Sequence, residues 1–117
     1  MVLGMGIDII EIERIEKVID KWGEHFLRHV FHEEEIAYAS KYKFPAQHYA
    51  ARFAAKEAVF KAFATRPKIT WKDIKILNNE FGQPVCEFND KTFKDRILIS
   101  LSHSDHYAVA SAIITKG

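Results

Sequence analysis

Several things that this sequence lacks limit what the protein can be. It has one cysteine, Cys86, so no internal disulfide can form, and a reducing compartment is expected. No apolar run approaches the roughly 20 residues of a membrane-spanning helix. The first ten residues have no basic stretch and lead into Glu11 and Glu13, unlike a signal peptide. We therefore expect a cytoplasmic protein with no membrane partner.

An excess of charge of one sign is also missing. Lys and Arg total 17 against 16 acidic residues, so the formal net charge is +1. This balance argues against general nucleic-acid binding, which needs a strongly basic surface. The glycine-rich phosphate loops GxxxxGK[ST] and GxGxxG are absent too. With no repeat or linker visible in 117 residues, we expect a single domain over residues 1–117.

Hydrophobic periodicity predicts an α+β fold. Helical spacing of apolar residues begins at Ile12, charged residues open a second helix at His32, and Pro45 begins a long alanine-rich third helix. Five strands are predicted, the last four forming two hairpins: residues 2–10, 73–78, 84–88, 97–103 and 107–114. A strand followed by helices and then by strands favours α+β over alternating βαβ units. The last strand is apolar on both faces, so we expect it at the centre of a sheet or in a subunit interface.

Asp8 is a carboxylate in an otherwise apolar strand. By strand alternation it shares a face with Gly4 and Gly6, while the apolar residues at odd positions point the other way and are expected to be buried. A buried carboxylate is costly unless a cation or hydrogen bonds meet it. The two glycines leave room for a close approach. Asp8 is therefore either part of a ligand site or a cap for the helix that follows.

Glu57 and Lys61 share one face of the long helix with Phe53, at i, i+4 and i+8. One interpretation is a solvated ion pair worth about 0.3–0.5 kcal/mol. The other is a functional pair beside open space, since the surrounding helix consists largely of alanine and other apolar residues.

Two histidine patterns and the cysteine have structural interpretations beside functional ones. His103 continues the face of a strand that is expected to be buried, so it is either a core histidine or a ligand-binding one. His25, His29 and His32 are spaced for a metal, but Gly23 argues against one continuous helix. Cys86 in a short strand is interpreted as a packing residue.

The first helix carries a narrow basic stripe of Arg14, Lys17 and Lys21 beside its apolar face. If the helix continued to Arg28, that residue would extend the stripe. Acidic residues fill most of the remaining surface, so one interpretation is a salt-bridged, solvated helix. The other is a docking surface for an acidic partner helix, steered by charge.

Three segments together resemble a known family. They are GIDIIEIERI at residues 6–15, RFAAKEAVFKAF at 52–63 and LSHSDHYAVA at 101–110. They resemble the holo-acyl-carrier-protein synthases, the small 4′-phosphopantetheinyl transferases, which carry G-[IV]-D near the N-terminus and [FW]-x-x-K-E-x-x-x-K some 45 to 50 residues later. The resemblance covers essentially the whole chain and includes FHEEEIAYA and WKDIKILNNEFGQP.

The resemblance implies an activity. Such enzymes transfer 4′-phosphopantetheine from coenzyme A to a serine of an apo acyl carrier protein, depend on Mg²⁺, release adenosine 3′,5′-bisphosphate and support fatty acid biosynthesis. Asp8 and Glu57 match the metal-binding carboxylates, and Lys61 would hold a phosphate oxygen, so these three are the predicted catalytic residues. The base that accepts the serine proton is either Glu57 or a metal-bound water.

The resemblance also implies binding residues and partners. The residues expected to bind coenzyme A are Lys56, Lys61, Arg66, Lys68 and His103. Two of these stand in a glycine-free loop, where many family members have a G-T-G-like turn. Arg14 matches a position that docks the acidic helix of the carrier protein, and Lys17 and Lys21 are expected to assist.

A homotrimer with active sites between subunits is implied as well, and the small residues of 108–112 would suit its interface. An inert carrier-protein or coenzyme A binding module of the same fold is the alternative. The intact Asp8, Glu57 and Lys61 argue against that alternative, because a binding module has no need of the metal pair.

Overall fold

The computed structural model describes residues 1–64 and 68–117. The elements follow one another as β1 (Val2–Glu11), α1 (Ile12–Trp22), α2 (Glu24–Val30), α3 (Glu33–Ser40), α4 (Pro45–Ala62), a 3₁₀ turn (Trp71–Asp73), β2 (Ile74–Asn78), β3 (Pro84–Phe88), β4 (Arg96–His103) and β5 (Tyr107–Thr115). The predicted α+β order is confirmed.

Gly23 divides the first helical region into two helices. Its φ of 52° is a backbone conformation that glycine adopts readily, and it ends α1 while α2 begins at the next residue. Arg28 therefore does not extend the basic stripe of α1, as a continuous helix would have required. Its guanidinium instead binds the carboxylates of Glu24 at 2.9 Å and Glu33 at 3.3 Å.

Both predicted hairpins are confirmed. The strands β4 and β5 pair antiparallel and join β1 in a three-stranded sheet of order β1-β5-β4, while β2 and β3 form a separate two-stranded sheet. The apolar last strand is central, as expected from its two apolar faces. The register places Ala110 between Asp8 of β1 and Leu101 of β4, and it places Ala108 beside His103.

Small residues let α4 lie directly on one face of this sheet. A Cβ added at Gly6 would collide with the backbone oxygen of Ala58, and one at Gly4 would collide with the backbone oxygen of Ala62. The alanines of β5 at positions 108, 110 and 112 are at most 1% exposed in the layer beneath α4. These alanines therefore face the chain's own helix, and the predicted subunit interface at 108–112 would have to use the opposite face of β5.

The opposite face of β1 is apolar and exposed. Its side chains are between 47% and 69% exposed: Leu3, Met5, Ile7 and Ile9. The expectation that these odd-numbered residues are buried was wrong. Strand alternation assigns residues to two faces without indicating which face is covered. The glycine face accepts α4, and the apolar face is left as a continuous surface with Leu98 of β4, which is 54% exposed.

A second part of the core lies between the helices. Its buried residues come from α1, α2 and α4 and the connection after α2, and include Ile12, Ile15, Leu27, Phe31 and Tyr49. This packing places α1 beside the sheet end that carries Asp8. Of the helices in the described residues, none is both long enough and apolar enough to cross a membrane.

Candidate active site

The packing of α4 on β1 places Lys61 against Asp8. The Lys61 Nζ donates to Asp8 Oδ1 at 3.1 Å and to the backbone oxygen of Ile7 at 3.0 Å. Asp8 does not cap the following helix, since α1 begins after Glu11 without a side-chain cap. The capping alternative is therefore wrong, and a cation meets the carboxylate instead.

Glu57, one turn before Lys61 on α4, lies close enough to Asp8 to be affected by its charge. Burial raises the pKa of the Glu57 carboxyl above its ordinary value, the charge of Asp8 raises it further, and Lys61 opposes the rise. Lys61 thus forms an ion pair with Asp8 on a different element, so Glu57 and Lys61 are more than a solvated pair within one helix. Two carboxylates and one ammonium meet where β1 and α4 touch.

These carboxylates open into a cavity of about 330 Å³. Asp8, Glu57 and Arg14 are its charged lining residues, and the remainder of the wall is apolar, including Val18 and Phe26. The cavity therefore has acidic groups on the sheet and α4 side and a guanidinium on the α1 side. An anionic ligand with a divalent cation would match this distribution of charge.

The donor set fits Mg²⁺. This ion takes oxygen ligands and is usually held by one or two carboxylates, with substrate phosphates and waters completing its octahedron. Asp8 and Glu57 supply that pair. No group of three or more His, Cys, Asp or Glu side chains placed to hold a metal occurs within residues 1–64 and 68–117.

The three spaced histidines are accordingly not gathered around a metal. Helix α2 ends at Val30, and the backbone of His32 belongs to the start of α3. The His32 Nε2 lies 2.9 Å from the backbone oxygen of Lys72, which belongs to the 3₁₀ turn before β2.

A second group of cationic and aromatic side chains surrounds Arg52 of α4. We call it the Arg52 cluster, and its members are Tyr38, Tyr42, His48, Arg52 and His103. The Arg52 Cζ lies 4.0 Å from the Tyr38 ring centre, and the His48 ring stacks on Tyr42 at 3.8 Å. The His103 ring lies 6.0 Å from that of His48. His103 is exposed, so its interpretation as a core histidine is wrong.

Arg52 has unused hydrogen-bonding capacity. Its side chain is 2% exposed, and Nη2 donates to Asn78 Oδ1 at 2.9 Å, while the buried Nε has no hydrogen-bond partner among the described residues. Burial lowers the pKa of His48, and the charges of Arg52 and His103 lower it further. An anion beside this cluster would relieve that repulsion. Sequence reasoning missed Arg52, although its signal, one charge among alanines, is the same as that of Glu57.

A family model and full-length relatives agree on what the chain is similar to. The model of the 4′-phosphopantetheinyl transferase superfamily matches residues 4–112. A holo-[acyl-carrier-protein] synthase from Thermodesulfovibrio yellowstonii is 46% identical over 115 residues, which cover 98% of this chain and 100% of that protein. The synthase from Protochlamydia amoebophila is also 46% identical, over 97% of this chain and 98% of its own length. The chain belongs to the holo-[acyl-carrier-protein] synthase family.

Solved structures of this family share the fold over the full length. The Bacillus anthracis synthase, crystallised in complex with CoA (3′,5′-ADP), has a TM-score of 0.87 at 35% identity and covers 100% of this chain and 99% of that one. The Helicobacter pylori synthase in complex with coenzyme A has a TM-score of 0.85 at 29% identity, covering 95% and 99%. The chain is therefore an enzyme of the phosphopantetheinyl transferase class with that family's architecture.

Among the predicted coenzyme A ligands within residues 1–64 and 68–117, Lys56 is the one whose position contradicts its predicted role. Its side chain is 0% exposed, and its Nζ donates to Val30 O at 2.8 Å, Glu35 Oε1 at 2.9 Å and Trp71 O at 3.2 Å. Three acceptors satisfy the ammonium, which leaves no donor for a phosphate. Although it is adjacent to Glu57 in sequence, Lys56 points about 100° away around the helix and into the core.

The predicted docking residues of the synthase lie on the exposed side of α1. Arg14, Lys17 and Lys21 are all exposed. Lys17 also forms a surface ion pair with Glu13 at 3.2 Å, so the salt-bridged interpretation describes part of the stripe. Arg14 differs from both lysines because it lines the cavity of Asp8 and Glu57.

The loop after α4 is the last predicted element of the site. Arg66 lies outside the described residues, so its predicted contact with the nucleotide stays a prediction. Lys68 is exposed where the described chain resumes.

Proposed function

We propose that this protein transfers 4′-phosphopantetheine from coenzyme A to a serine of an apo acyl carrier protein and releases adenosine 3′,5′-bisphosphate. We further propose that the reaction depends on Mg²⁺, supports fatty acid biosynthesis and takes place in the cytoplasm. The observation that carries this proposal is the meeting of Asp8 and Glu57 at one cavity, with Lys61 paired to Asp8, in a chain of the holo-[acyl-carrier-protein] synthase family.

In this proposal Asp8 and Glu57 hold the metal, which when bound neutralises charge on the pyrophosphate of coenzyme A. The Lys61 ammonium is 54% exposed and one helical turn from Glu57, so it can donate to a phosphate oxygen. The two carboxylates have the oxygen chemistry that the ion requires. No side chain of this chain needs to act as a nucleophile, because the attacking hydroxyl belongs to the carrier protein.

The reaction forms one bond and breaks another at the β-phosphorus. The serine oxygen of the carrier forms a bond to this phosphorus, and the bond from the phosphorus to the bridging oxygen breaks. The leaving group departs as adenosine 3′,5′-bisphosphate. The serine proton must be accepted by a base, and the carboxylate of Glu57 is the candidate within this chain.

The carrier protein is proposed to dock on α1. Arg14 lines the active-site cavity, and Lys17 and Lys21 lie exposed on the same helix. An acidic carrier helix would be attracted to these charges and would present its serine beside Asp8 and Glu57. Arg14→Glu should therefore weaken carrier binding while leaving coenzyme A affinity nearly unchanged, and titrations of each ligand measure the two effects separately.

His103 and the residues around Arg52 are proposed to bind phosphates of coenzyme A, with Lys68 and Arg66 near the 3′-phosphate. Arg52 and Glu57 are five residues apart on α4 and therefore about 140° apart around the helix. One chain consequently presents the Arg52 cluster and the Asp8–Glu57 site on different sides. An assembly in which one chain supplies the carboxylates and its neighbour supplies the Arg52 cluster would bring both to the same coenzyme A.

A homotrimer with active sites between subunits is the proposed assembly. The exposed apolar face of β1 supports it, since Met5, Ile7 and Ile9 are each at least 64% exposed and monomers rarely expose large continuous apolar patches. Sedimentation analysis checks this assembly directly, and a protein that sediments as a monomer at micromolar concentration would contradict it.

The activity is tested with apo acyl carrier protein, coenzyme A and Mg²⁺, followed by intact-protein mass spectrometry. The carrier should gain one phosphopantetheine, and a carrier whose acceptor serine is replaced by alanine should gain nothing. Asp8→Asn and Glu57→Gln should reduce the rate more than about a hundredfold. Glu80→Gln, at an exposed carboxylate in the β2–β3 turn, is the matched control.

The outcomes separate the proposal from its alternative. Binding of coenzyme A or carrier without any mass gain would favour an inert binding module of the same fold. A mass gain that persists at full rate in Asp8→Asn would refute the catalytic assignment of Asp8. Absence of both binding and transfer would reject the proposed function and the alternative together.

A further inference from the structure

A cation already lies on the carboxylate that is proposed to bind the metal. Lys61 Nζ is 3.1 Å from Asp8 Oδ1 and 3.0 Å from the backbone oxygen of Ile7. Carboxylate oxygens close to an ammonium are less available to a second cation, because the two positive charges repel each other. The free chain thus has an internal competitor at its own metal site.

The two partners differ in their access to solvent. The Asp8 side chain is 18% exposed, while the Lys61 side chain is 54% exposed on a long, flexible stem. Asp8 is held by β1 on the face against α4, whereas the ammonium can leave Oδ1 without disturbing the core. The ion pair can open by a rotation of the lysine alone.

The local balance of charge explains why the lysine is there. Asp8 and Glu57 are two carboxylates that line one cavity, so their negative charges repel each other, and the Lys61 ammonium beside Asp8 offsets this repulsion. Among residues 1–64 and 68–117, Lys61 is the charged group in direct contact with Asp8. A divalent cation bound by the two carboxylates would neutralise the charge of Asp8 in place of the lysine.

We propose that Lys61 is the resident counter-ion of Asp8 and that Mg²⁺ displaces it, which frees its ammonium to bind a phosphate oxygen of coenzyme A. This inference rests on the proposed function, in which Asp8 and Glu57 hold the metal. It has a thermodynamic consequence: Lys61 weakens metal binding to the free enzyme and strengthens it when coenzyme A is present. Metal and coenzyme A therefore bind with positive coupling through this side chain.

The test measures metal affinity without turnover. Mn²⁺ prefers the same oxygen ligands as Mg²⁺, and the free ion can be counted by electron paramagnetic resonance. Lys61→Met removes the ammonium and keeps an unbranched side chain. Lys91→Met removes the same charge at an exposed lysine between β3 and β4, so it controls for the change in net charge. Urea unfolding of both variants confirms that each is folded.

In the absence of coenzyme A, Lys61→Met should bind Mn²⁺ about two- to five-fold more tightly than the parent protein, the range that a partly exposed ion pair allows. Lys91→Met should bind it unchanged. Adding coenzyme A should then raise Mn²⁺ affinity more in the parent protein than in Lys61→Met, because only the parent has the freed ammonium. Equal or weaker Mn²⁺ binding by Lys61→Met in the free state would overturn the exchange.

A fourth protein, Asp8→Asn, shows whether a negative result refutes only the exchange of Lys61 for the metal or also the proposed function. If the parent protein binds Mn²⁺, Asp8→Asn does not, and Lys61→Met is unchanged, the metal site stands and the exchange alone is refuted. If the parent protein and Asp8→Asn behave alike even with coenzyme A, the metal assignment is rejected, and the exchange is rejected with it.

Discussion

Replacing Lys56 by methionine should lower the free energy of unfolding by about 3–5 kcal/mol, the cost of breaking a buried ion pair by removing one partner. Lys56 and Glu35 are both 0% exposed, and their charged atoms are 2.9 Å apart. The Glu35 carboxylate also accepts the backbone N–H of His32 at 2.7 Å and of Ile76 at 2.9 Å. The pair thus connects α3, α4 and β2, and the variant leaves a buried negative charge without its cation.

The size of the effect decides between a buried and a surface pair. With an m value of about 2 kcal/mol/M, the urea midpoint followed by circular dichroism should fall by roughly 2 M. Glu35→Gln should cost a similar amount, because it leaves the ammonium without its carboxylate. The double variant should cost less than the sum of the single variants by about 0.5–3 kcal/mol.

A neighbouring pair provides the control. Lys75 and Glu34 are 2.7 Å apart, but their side chains are 24% and 56% exposed. Lys75→Met should therefore cost at most about 1 kcal/mol. The reasoning is refuted if Lys56→Met costs no more than Lys75→Met, or if the two single variants of the buried pair are simply additive.

Three further outcomes are expected. Gly6→Ala should cost about 1–3 kcal/mol and reduce transfer, because its methyl group would meet the backbone oxygen of Ala58; an unchanged urea midpoint would contradict the close packing of β1 on α4. Burial raises the pKa of the Cys86 thiol to about 12. The native protein should therefore react slowly with a thiol-specific disulfide reagent between about pH 7 and pH 9 and quickly once unfolded, and fast native labelling that rises with pH would disprove this. Burial, followed by the charge of Arg52, lowers the pKa of His48 below its ordinary 6.5. Proton NMR titration should show this, and adenosine 3′,5′-bisphosphate should raise the value if the Arg52 cluster binds phosphate; a free-protein pKa above 6.5 would count against the cluster's positive charge.

Local patterns were sufficient for most of the elements and for singling out the charged residues that the family resemblance then assigned to a reaction. Helix and strand periods are set by neighbours in sequence, so the two hairpins and the long helix from Pro45 could be predicted. Gly23 had already argued against one continuous helix, and its positive φ confirms the break, but the short helix α2 that follows it was not predicted. Asp8, Glu57 and Lys61 were recognisable because each places a charge in an apolar or alanine-rich segment.

Burial could not be predicted in the same way. Strand alternation assigns the residues of β1 to two faces, and the larger apolar side chains suggested the wrong one as the core. The helix α4 carries four charged residues among alanines, and nothing local distinguishes Lys56, which enters the core, from Glu57, which lines the cavity. Lys56 is buried because Glu35 arrives from a different helix to neutralise it.

The sequence by itself determined that this is an α+β protein without a disulfide, with a carboxylate on a glycine-lined strand face and a Glu and a Lys one turn apart on a long helix. These features follow from residue types and short spacings. Only the tertiary structure decided that the glycine face receives α4, that Lys61 lies on Asp8, and that Arg52 gathers His48 and His103 on another side of the helix. The physical reason is that burial and charge pairing depend on which elements approach one another, and those approaches join residues such as Asp8 and Lys61 that are far apart in the chain.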